Sequence, residues 1–244
     1  MIFLKVSDYM KVAIFSDIYG NKYALEEALI KMNEIEIDIH IFCGDAVGYY
    51  YYHNEVIEIL RNMNNIFCVL GNHDQMFIDI IDKKKDTKSY FEKYGSSIEQ
   101  FLKSATKENI EFLRSLPEVR DILIDDLKIK IIHGSPWNPI KGYVYPNSDF
   151  NRYSDFDFDY IFQGHTHYPM KIKQGKCEII NPGSIGQPRD GGFPSFVVFD
   201  TSTKLFEFKS FKYDINQLSE DIQRVGGEPS YLSNILWRPL NGKR

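Results

Sequence analysis

Short apolar runs alternate with polar clusters and helical patterns along the first third of the chain. The apolar runs Lys11 to Ser16, Asp38 to Cys43 and Ile66 to Leu70 are rich in β-branched and aromatic residues, which is typical of buried strands. Between them, Lys22 to Met32 and Glu55 to Met63 place apolar side chains at helical spacing. The order strand, helix, strand, helix, strand predicts right-handed crossovers, parallel pairing and loops gathered at one edge of a sheet.

The rest of the chain predicts helices first and strands afterwards. Residues 75 to 116 form a helical interlude, with Thr106 as a cap. The predicted strands that follow are Val119 to Ile124, Lys128 to Ile132, Tyr160 to Gln163, Met170 to Lys173, Cys177 to Ile180, Ser195 to Asp200 and Leu205 to Phe211. The last four of them suggest a second, antiparallel sheet. Trp137 to Asp155 lacks periodicity and is predicted to be a long loop that borders the site.

One domain is expected for a chain of 244 residues. Residues 1–10 are interpreted as a dispensable leader and residues 11–213 as the main domain. Residues 214–244 are predicted to add a terminal helix, Asp214 to Val225, and an extended tail to the same domain.

Composition narrows the classes of function. Hydrophobic residues make up 43% and charged residues 26%, which indicates a globular chain and not a disordered one. A net charge of −5 and a pI near 5.7 do not favour binding to nucleic acid or to anionic membranes, so a phosphorylated substrate needs local positive charge such as bound metal ions. No apolar stretch is long enough to span a bilayer, and the N-terminus lacks a signal-peptide pattern. The chain has an odd number of cysteines: Cys43, Cys68 and Cys177. They are typical of buried thiols in a reducing compartment, so a cytoplasmic protein is expected.

Residues with metal-binding side chains recur directly after the predicted strands. These residues are Asp17, Asp45, Asn72, His73, His133, His165 and His167. Each one alone is typical of a turn or a helix cap, but their joint recurrence favours a shared site. Carboxylate, imidazole and amide oxygen ligands suit two divalent transition ions, with one carboxylate bridging ions roughly 3.5–4 Å apart. The cysteine-rich spacing of structural zinc sites is absent from the sequence.

In this order the motifs resemble those of the calcineurin-like metallophosphoesterase superfamily, and most closely its small bacterial and archaeal phosphodiesterase branch. The family pattern is D-x-H, G-D, G-N-H-[DE], H and G-H-x-H, and the resemblance runs from about Lys11 to Tyr213. It includes Ser135-Pro136 and the stretch Asn181 to Asp190. The resemblance implies an α/β fold, a four-layer αββα sandwich of two mixed sheets with helices outside, and a dimetal centre at the loop edge between the sheets.

The resemblance also implies a role for each matching residue. The implied metal ligands are Asp17 and His167 for the first ion, Asp45 as the bridge, and Asn72, His133 and His165 for the second ion. His73 would protonate or stabilise the leaving oxygen, and Asp74 would orient its imidazole. The implied reaction is in-line attack of a metal-bound hydroxide on phosphorus. Two divalent transition ions are expected as cofactors, with manganese first and iron, zinc or nickel left open.

One position departs from the family pattern. The first motif reads Asp17-Ile18-Tyr19, where the family has histidine at the third place. Tyr19 could be a phenolate ligand, which favours trivalent iron and resembles purple acid phosphatases, although a phenol with a pKa near 10 is not readily ionised by a divalent ion. Alternatively, Tyr19 lines the pocket and leaves the first ion one ligand short and weakly held. In a third reading, His53 or a water fills the gap.

Two residues are candidates for contact with the substrate. Tyr49, in the tyrosine run Tyr49 to Tyr52, could stack on a nucleobase or form a half-buried rim. Arg189 could bind a phosphate or serve the structure of its loop. The expected activity is hydrolysis of a small phosphodiester or nucleotide phosphate. The alternatives are hydrolysis of dinucleoside polyphosphates and a catalytically weakened binding scaffold on the same fold, and a homo-oligomer is left open.

Overall fold

Two mixed β-sheets form the centre of the fold. The structure, a computed structural model, describes residues 2–4, 10–225 and 230–237. Its strands are β1 (Ile2–Leu4), β2 (Lys11–Phe15), β3 (Ile39–Phe42), β4 (Ile66–Cys68), β5 (Val119–Ile124), β6 (Leu127–Ile132), β7 (Tyr160–Phe162), β8 (Met170–Gln174), β9 (Cys177–Asn181), β10 (Ser195–Asp200) and β11 (Leu205–Ser210). Its α-helices are α1 (Lys22–Ile35), α2 (His53–Asn62), α3 (Asn72–Ile81), α4 (Thr87–Tyr94), α5 (Ser97–Ser104), α6 (Lys107–Ser115), α7 (Ile215–Val225) and α8 (Ser230–Leu236). A 3₁₀ helix covers Asn151–Asp155, within the segment predicted as a long loop.

The first sheet has five strands in the order β11-β10-β2-β3-β4. β2, β3 and β4 are parallel, as predicted, and α1 and α2 connect them. The side chain of Asn21 accepts a hydrogen bond from the backbone N–H of Ala24 and caps α1. Thr106, the cap predicted from the sequence, caps α6 in the same way, so that prediction is confirmed.

The prediction of a wholly antiparallel second sheet is wrong in two respects. β10 and β11 belong to the first sheet, where Val197 of β10 pairs antiparallel with Ile14 of β2. β10 is buried along nearly its whole length, because Val197 and Phe199 face the cluster between the sheets while Phe196 and Val198 face the helices. The second sheet, in the order β1-β5-β6-β7-β9-β8, is mixed, because β7 runs parallel to both β6 and β9.

Both ends of the described chain contain more regular structure than the sequence pattern predicts. β1 lies in the segment interpreted as a leader and pairs in parallel with β5, with Ile2 opposite Ile122. α8 lies in the segment predicted to be an extended tail. The remainder of that leader (residues 1 and 5–9) and of that tail (residues 226–229 and 238–244) lies outside the described residues.

Side chains alternate between two buried layers along the strands, which confirms the α/β sandwich. Ile14 of β2 and Ile129 of β6 belong to the cluster between the sheets. The neighbouring Phe15 faces the helices and shares a cluster with Leu25 of α1 and Val56 of α2. Within the described part of the chain, no helix has the length and apolar character needed to cross a membrane.

Candidate metal centre

The sequence-predicted ligands meet where the two sheets place the C-terminal ends of their strands. Asp17 follows β2, Asp45 follows β3 and Asn72 begins α3 just after β4. The second sheet contributes the histidines after β6 and β7. Apart from the half-buried Asn72, these ligand candidates are fully buried: Asp17, Asp45, His133, His165 and His167. The arrangement therefore confirms that the loops gather at one edge, now shared by both sheets.

Three donor atoms cluster around the Nε2 atom of His133. Its Nε2 lies 2.9 Å from Asn72 Oδ1, 3.1 Å from His165 Nδ1 and 3.3 Å from Asp45 Oδ2. Donor atoms that bind one ion at about 2.1 Å lie roughly 3–3.4 Å from one another, so this spacing matches that of ligands around a common metal. Asp45 Oδ2 is buried and has no hydrogen-bond partner among the described residues, although a buried carboxylate oxygen normally has one. The donor set therefore fits a divalent ion.

Backbone carbonyls fix the orientation of two of the imidazole rings. His133 Nδ1 lies 2.7 Å from the carbonyl oxygen of Cys43, and His167 Nδ1 lies 2.6 Å from that of Gln187. A carbonyl accepts a proton from Nδ1, so the lone pair of each ring is on Nε2, the nitrogen that faces the carboxylates. This outer-shell contact is usual for histidine ligands of metals.

The hydroxyl of Tyr19 lies between the two residues implied as ligands of the first ion. Asp17 Oδ1 and His167 Nε2 are 3.3 Å apart, and Tyr19 Oη is 2.9 Å from the former and 2.6 Å from the latter. Tyr19 is buried, and burial together with the Asp17 and Asp45 carboxylates raises the pKa of its phenol well above 10. His53 is excluded from this position, because its Nε2 bonds the backbone of Gly48 at 3.0 Å and its ring packs on Phe101.

Carboxylates and imidazoles in the cluster shift one another's pKa. Burial alone would raise the pKa of Asp17, but His167 and His133 together hold that pKa below its ordinary value. Burial likewise opposes the charged form of His133, but the Asp45 carboxylate outweighs it and raises the pKa of His133 to about 9. Asp17, Asp45 and His133 place ligand atoms within 4.8 Å of one another, which is close enough to share metal ions.

Comparison with known proteins agrees with this geometry. The profile of the calcineurin-like phosphoesterase superfamily domain matches residues 10–204. The chain belongs to this superfamily. It is 35% identical over 233 residues to the uncharacterized protein MJ0912 of Methanocaldococcus jannaschii, covering 86% of this chain and 91% of that protein.

Two solved structures share the fold over almost the whole chain. The metallophosphoesterase from Sphaerobacter thermophilus is 27% identical, with a TM-score of 0.77 over 95% of this chain and 100% of that one. The hypothetical protein PH1004 from Pyrococcus horikoshii OT3 is 26% identical, with a TM-score of 0.81 over 94% of this chain and 98% of that one. Membership of the superfamily makes this protein a metallophosphoesterase of the hydrolase class.

In this phosphoesterase, Asp74 anchors the backbone of the Asp45 loop and does not touch the imidazole of His73. Its carboxylate accepts hydrogen bonds of 2.9–3.1 Å from the backbone N–H groups of Asp45, Ala46, Val47 and Gly71. Burial and the Asp45 carboxylate raise the pKa of Asp74 to about 7, against the lowering effect of these donors. The expected role of Asp74 in orienting His73 is therefore wrong, because all of these contacts are with the backbone.

The ring of His73 is held by Tyr90 instead. His73 Nδ1 lies 2.9 Å from the hydroxyl of Tyr90, which is buried on α4. The backbone N–H of His73 donates to Asp45 Oδ1 at 2.8 Å and so ties the residue to the metal centre. Burial lowers the pKa of His73 to about 4. Sequence reasoning missed Tyr90 because no motif marks it.

Replacement of Asp74 by alanine is expected to destabilise the fold more than any surface change on the same helix. The variant leaves four buried N–H groups without an acceptor, so we expect the free energy of unfolding to fall by about 3–5 kcal/mol. Asp79→Ala is the matched control on α3; it removes a contact with Lys85 at the surface and should cost about 1 kcal/mol or less. Urea unfolding measures both, and equal losses would contradict the anchoring role.

Several site residues adopt a left-handed backbone conformation that is strained for residues other than glycine. They are Asp17, Tyr19, Asp45, Tyr49, His165 and His167, with φ between 45° and 70°. Gly71 meets a different constraint, since a Cβ at this position would collide with the Asp45 carboxylate and backbone nitrogen. The loops therefore adopt strained backbone conformations, and these conformations direct the ligand side chains towards one point.

The two candidate substrate residues lie beside the ligands and touch each other. Arg189 Nη2 donates to the Tyr49 hydroxyl at 3.0 Å and to Gln187 Oε1 at 3.3 Å. The ring of Tyr49 lies 4.9 Å from that of His73 and 4.7 Å from that of Tyr19. The structure thus brings both residues to the rim of the metal centre.

Proposed function

We propose that this protein hydrolyses phosphodiester or nucleotide phosphate bonds in small molecules with the help of two divalent ions. One observation carries the proposal: three donor atoms from separate loops lie within 3.3 Å of His133 Nε2. An apolar or turn-forming role would not bring a carboxylate, an amide and two imidazoles together in a buried space. The proposal also places the protein in the cytoplasm, since Cys43, Cys68 and Cys177 are free and buried.

The described residues provide a donor set for each ion. Asn72, His133 and His165 would hold one ion, Asp17 and His167 the other, and Asp45 would be shared. When bound, two divalent ions lower the pKa of a water molecule and neutralise the negative charge of the phosphate. Mixed carboxylate, imidazole and amide ligands favour manganese, while iron, zinc and nickel also accept such ligands.

We assign to His73 the role of stabilising the leaving oxygen. Its backbone N–H bonds Asp45, which places the side chain next to the shared ligand. When Nδ1 accepts from the Tyr90 hydroxyl, the neutral ring carries its proton on Nε2 and can donate a hydrogen bond to the leaving oxygen. The net reaction adds one water across a P–O bond: the water oxygen joins phosphorus, its proton passes to the leaving oxygen, and the Nε2–H of His73 stabilises the charge that develops there.

The weakened scaffold remains the competing proposal, because Tyr19 stands where the family has histidine. Retention of His73 and of every other ligand position supports the enzyme. The direct test measures hydrolysis of bis(p-nitrophenyl) phosphate and p-nitrophenyl phosphate with manganese, with a chelator, and after manganese is returned. Activity that disappears with the chelator and returns with the metal is the expected result.

The variant Asp45→Asn provides the control for that test. It keeps the shape of the shared ligand but removes its charge, so we expect it to lose metal and activity together. A wild-type protein that binds manganese but hydrolyses neither compound would favour the scaffold. Chelator-resistant hydrolysis would overturn the metal-dependent mechanism.

A further inference from the structure

A cavity lined mainly by tyrosines opens next to the metal centre. It has a volume of about 420 Å³, which lies within the range of about 300–1,000 Å³ found for small-molecule sites. Its walls include Tyr49 from the loop after β3, Tyr94 at the end of α4, Tyr168 directly after His167, and Tyr231 of α8. Tyr231 donates to the backbone carbonyl of Lys93 at 2.9 Å, so α8 is fastened to α4 across this cavity.

The cavity lies beside His73, which packs against two of its walls. The ring of His73 lies 4.9 Å from that of Tyr49 and 4.7 Å from that of Tyr94. The carbonyl of Gln187, another lining residue, contacts the imidazole of the candidate ligand His167. The cavity is therefore the space nearest to a group attached to a phosphate at the metal centre.

The charge of the cavity is opposite in sign to that of the whole chain. Arg189 and Lys93 line it, and no Asp or Glu is among the described lining residues, whereas the net charge of the protein is −5. Arg189 is half-buried and its guanidinium bonds only neutral groups, the Tyr49 hydroxyl and the Gln187 amide oxygen. Neither cation forms an ion pair with a carboxylate in the part of the chain that the structure describes. A half-buried guanidinium without a carboxylate favours an anionic ligand, and phosphate matches its donors.

The aromatic walls favour a flat ring in the same ligand. Tyrosine faces stack on nucleobases without regard to sequence. Two cations beside four tyrosines thus match an aromatic base joined to a phosphate better than a simple alkyl phosphate.

We infer that the substrate is a nucleotide with at least one phosphate beyond the one that is cleaved. The scissile phosphate lies at the metal ligands, the second phosphate at Arg189 and Lys93, and the base against the half-buried rings of Tyr94 and Tyr168. This inference rests on the proposed function, because it takes the metal ligands as the position of the scissile phosphate. It narrows that function from phosphoesters in general to nucleoside di- and polyphosphates and their esters.

Three compounds test the contribution of each part of this ligand to binding. Isothermal titration of the manganese-loaded protein compares α,β-methylene-ADP with AMP, which lacks the second phosphate, and with methylenediphosphonate, which lacks the nucleoside. We expect α,β-methylene-ADP to bind at least about tenfold more tightly than either, since a hydrogen bond to a charged group contributes about 1.5–3 kcal/mol. Equal affinities for the three probes would overturn the inference.

Variants test whether the differences in affinity between the three compounds come from contacts in the cavity. Arg189→Met should weaken α,β-methylene-ADP by about 10–100-fold and AMP far less, because only the former carries the second phosphate. Tyr94→Leu should remove most of the advantage over methylenediphosphonate. Lys88→Met is the matched control for Lys93→Met, since both lysines are exposed on α4 but Lys88 is not among the residues that line the cavity. If Arg189→Met weakened the binding of AMP and of α,β-methylene-ADP equally, the second-phosphate site would be refuted.

The binding readout also separates this inference from the proposed function. If the protein hydrolysed the chromogenic compounds but bound the three probes with equal affinity, the phosphoesterase proposal would stand and the nucleotide site would be refuted. The expected order of affinities without any hydrolysis would support the nucleotide site and refute the proposed catalysis.

Discussion

We expect His73→Ala to lower kcat/KM for bis(p-nitrophenyl) phosphate by about 10²–10⁴-fold while the content of bound metal stays the same. The reason is that the side chain of His73 lies outside the ligand cluster, whereas its backbone N–H bonds Asp45 Oδ1. Removing the imidazole therefore takes away the hydrogen-bond donor to the leaving oxygen and leaves that backbone contact in place. Steady-state kinetics and metal analysis of the same samples check both parts.

Tyr90→Phe is the companion variant. It removes only the hydroxyl that contacts His73 Nδ1, so we expect a smaller fall in kcat, about tenfold, and a changed pH profile with little effect on KM. Full activity in His73→Ala with unchanged metals would show that the assigned role is wrong. A Tyr90→Phe profile that overlays that of the wild type would show that Tyr90 only fills space.

The second large effect is expected from Tyr19→His. The Tyr19 hydroxyl lies 2.6 Å from His167 Nε2 and 2.9 Å from Asp17 Oδ1, where a ligand of the first ion would lie. A neutral phenol is a poor ligand for a divalent ion, whereas a neutral imidazole is a good one. Histidine also adopts the left-handed backbone of this position, φ 57°, more readily than most residues. We therefore expect the first ion to bind about 10–100-fold more tightly and activity at low manganese to rise.

Tyr19→Phe distinguishes a ligand from a lining residue. If the hydroxyl holds the first ion, phenylalanine weakens that ion further, and the wild type loaded with iron shows a phenolate-to-iron absorption band. If the hydroxyl only bonds Asp17 and His167, phenylalanine leaves the affinity for the metal equal to that of the wild type or higher. Manganese titration of wild type, Tyr19→His and Tyr19→Phe gives the answer, and no gain in Tyr19→His would contradict the expected result.

Local patterns predicted those parts of the fold and the site that depend on neighbouring residues. The alternation of strands and helices predicted β2, β3 and β4 and their parallel order, because each crossover is determined by a short segment. The ligand candidates were identified because metal-binding side chains at strand ends stand out in the sequence. Pairing between distant segments has no such signal, so the place of β10 beside β2 became visible only in the structure.

The same distinction applies to the residues that support the site. Asp74 was singled out from its motif, but its contacts with the backbone of the Asp45 loop depend on how two loops approach each other. Tyr90 lies in a helix whose pattern marks it as one more apolar residue. Roles of this kind follow from tertiary contact alone, and a single sequence does not encode them in a readable pattern.

The pairing of β2 with β10 also governs when the protein can acquire its metals during synthesis. The partner of Ile14 is Val197, so one side of β2 stays unpaired until β10 has left the ribosome. His165 and His167 likewise emerge about 150 residues after Asp17. At about 5–20 residues per second, the nascent Asp17 loop waits roughly 8–30 seconds for its partners. The complete set of metal ligands is thus present only after strands β5 to β7 of the second sheet have been synthesised.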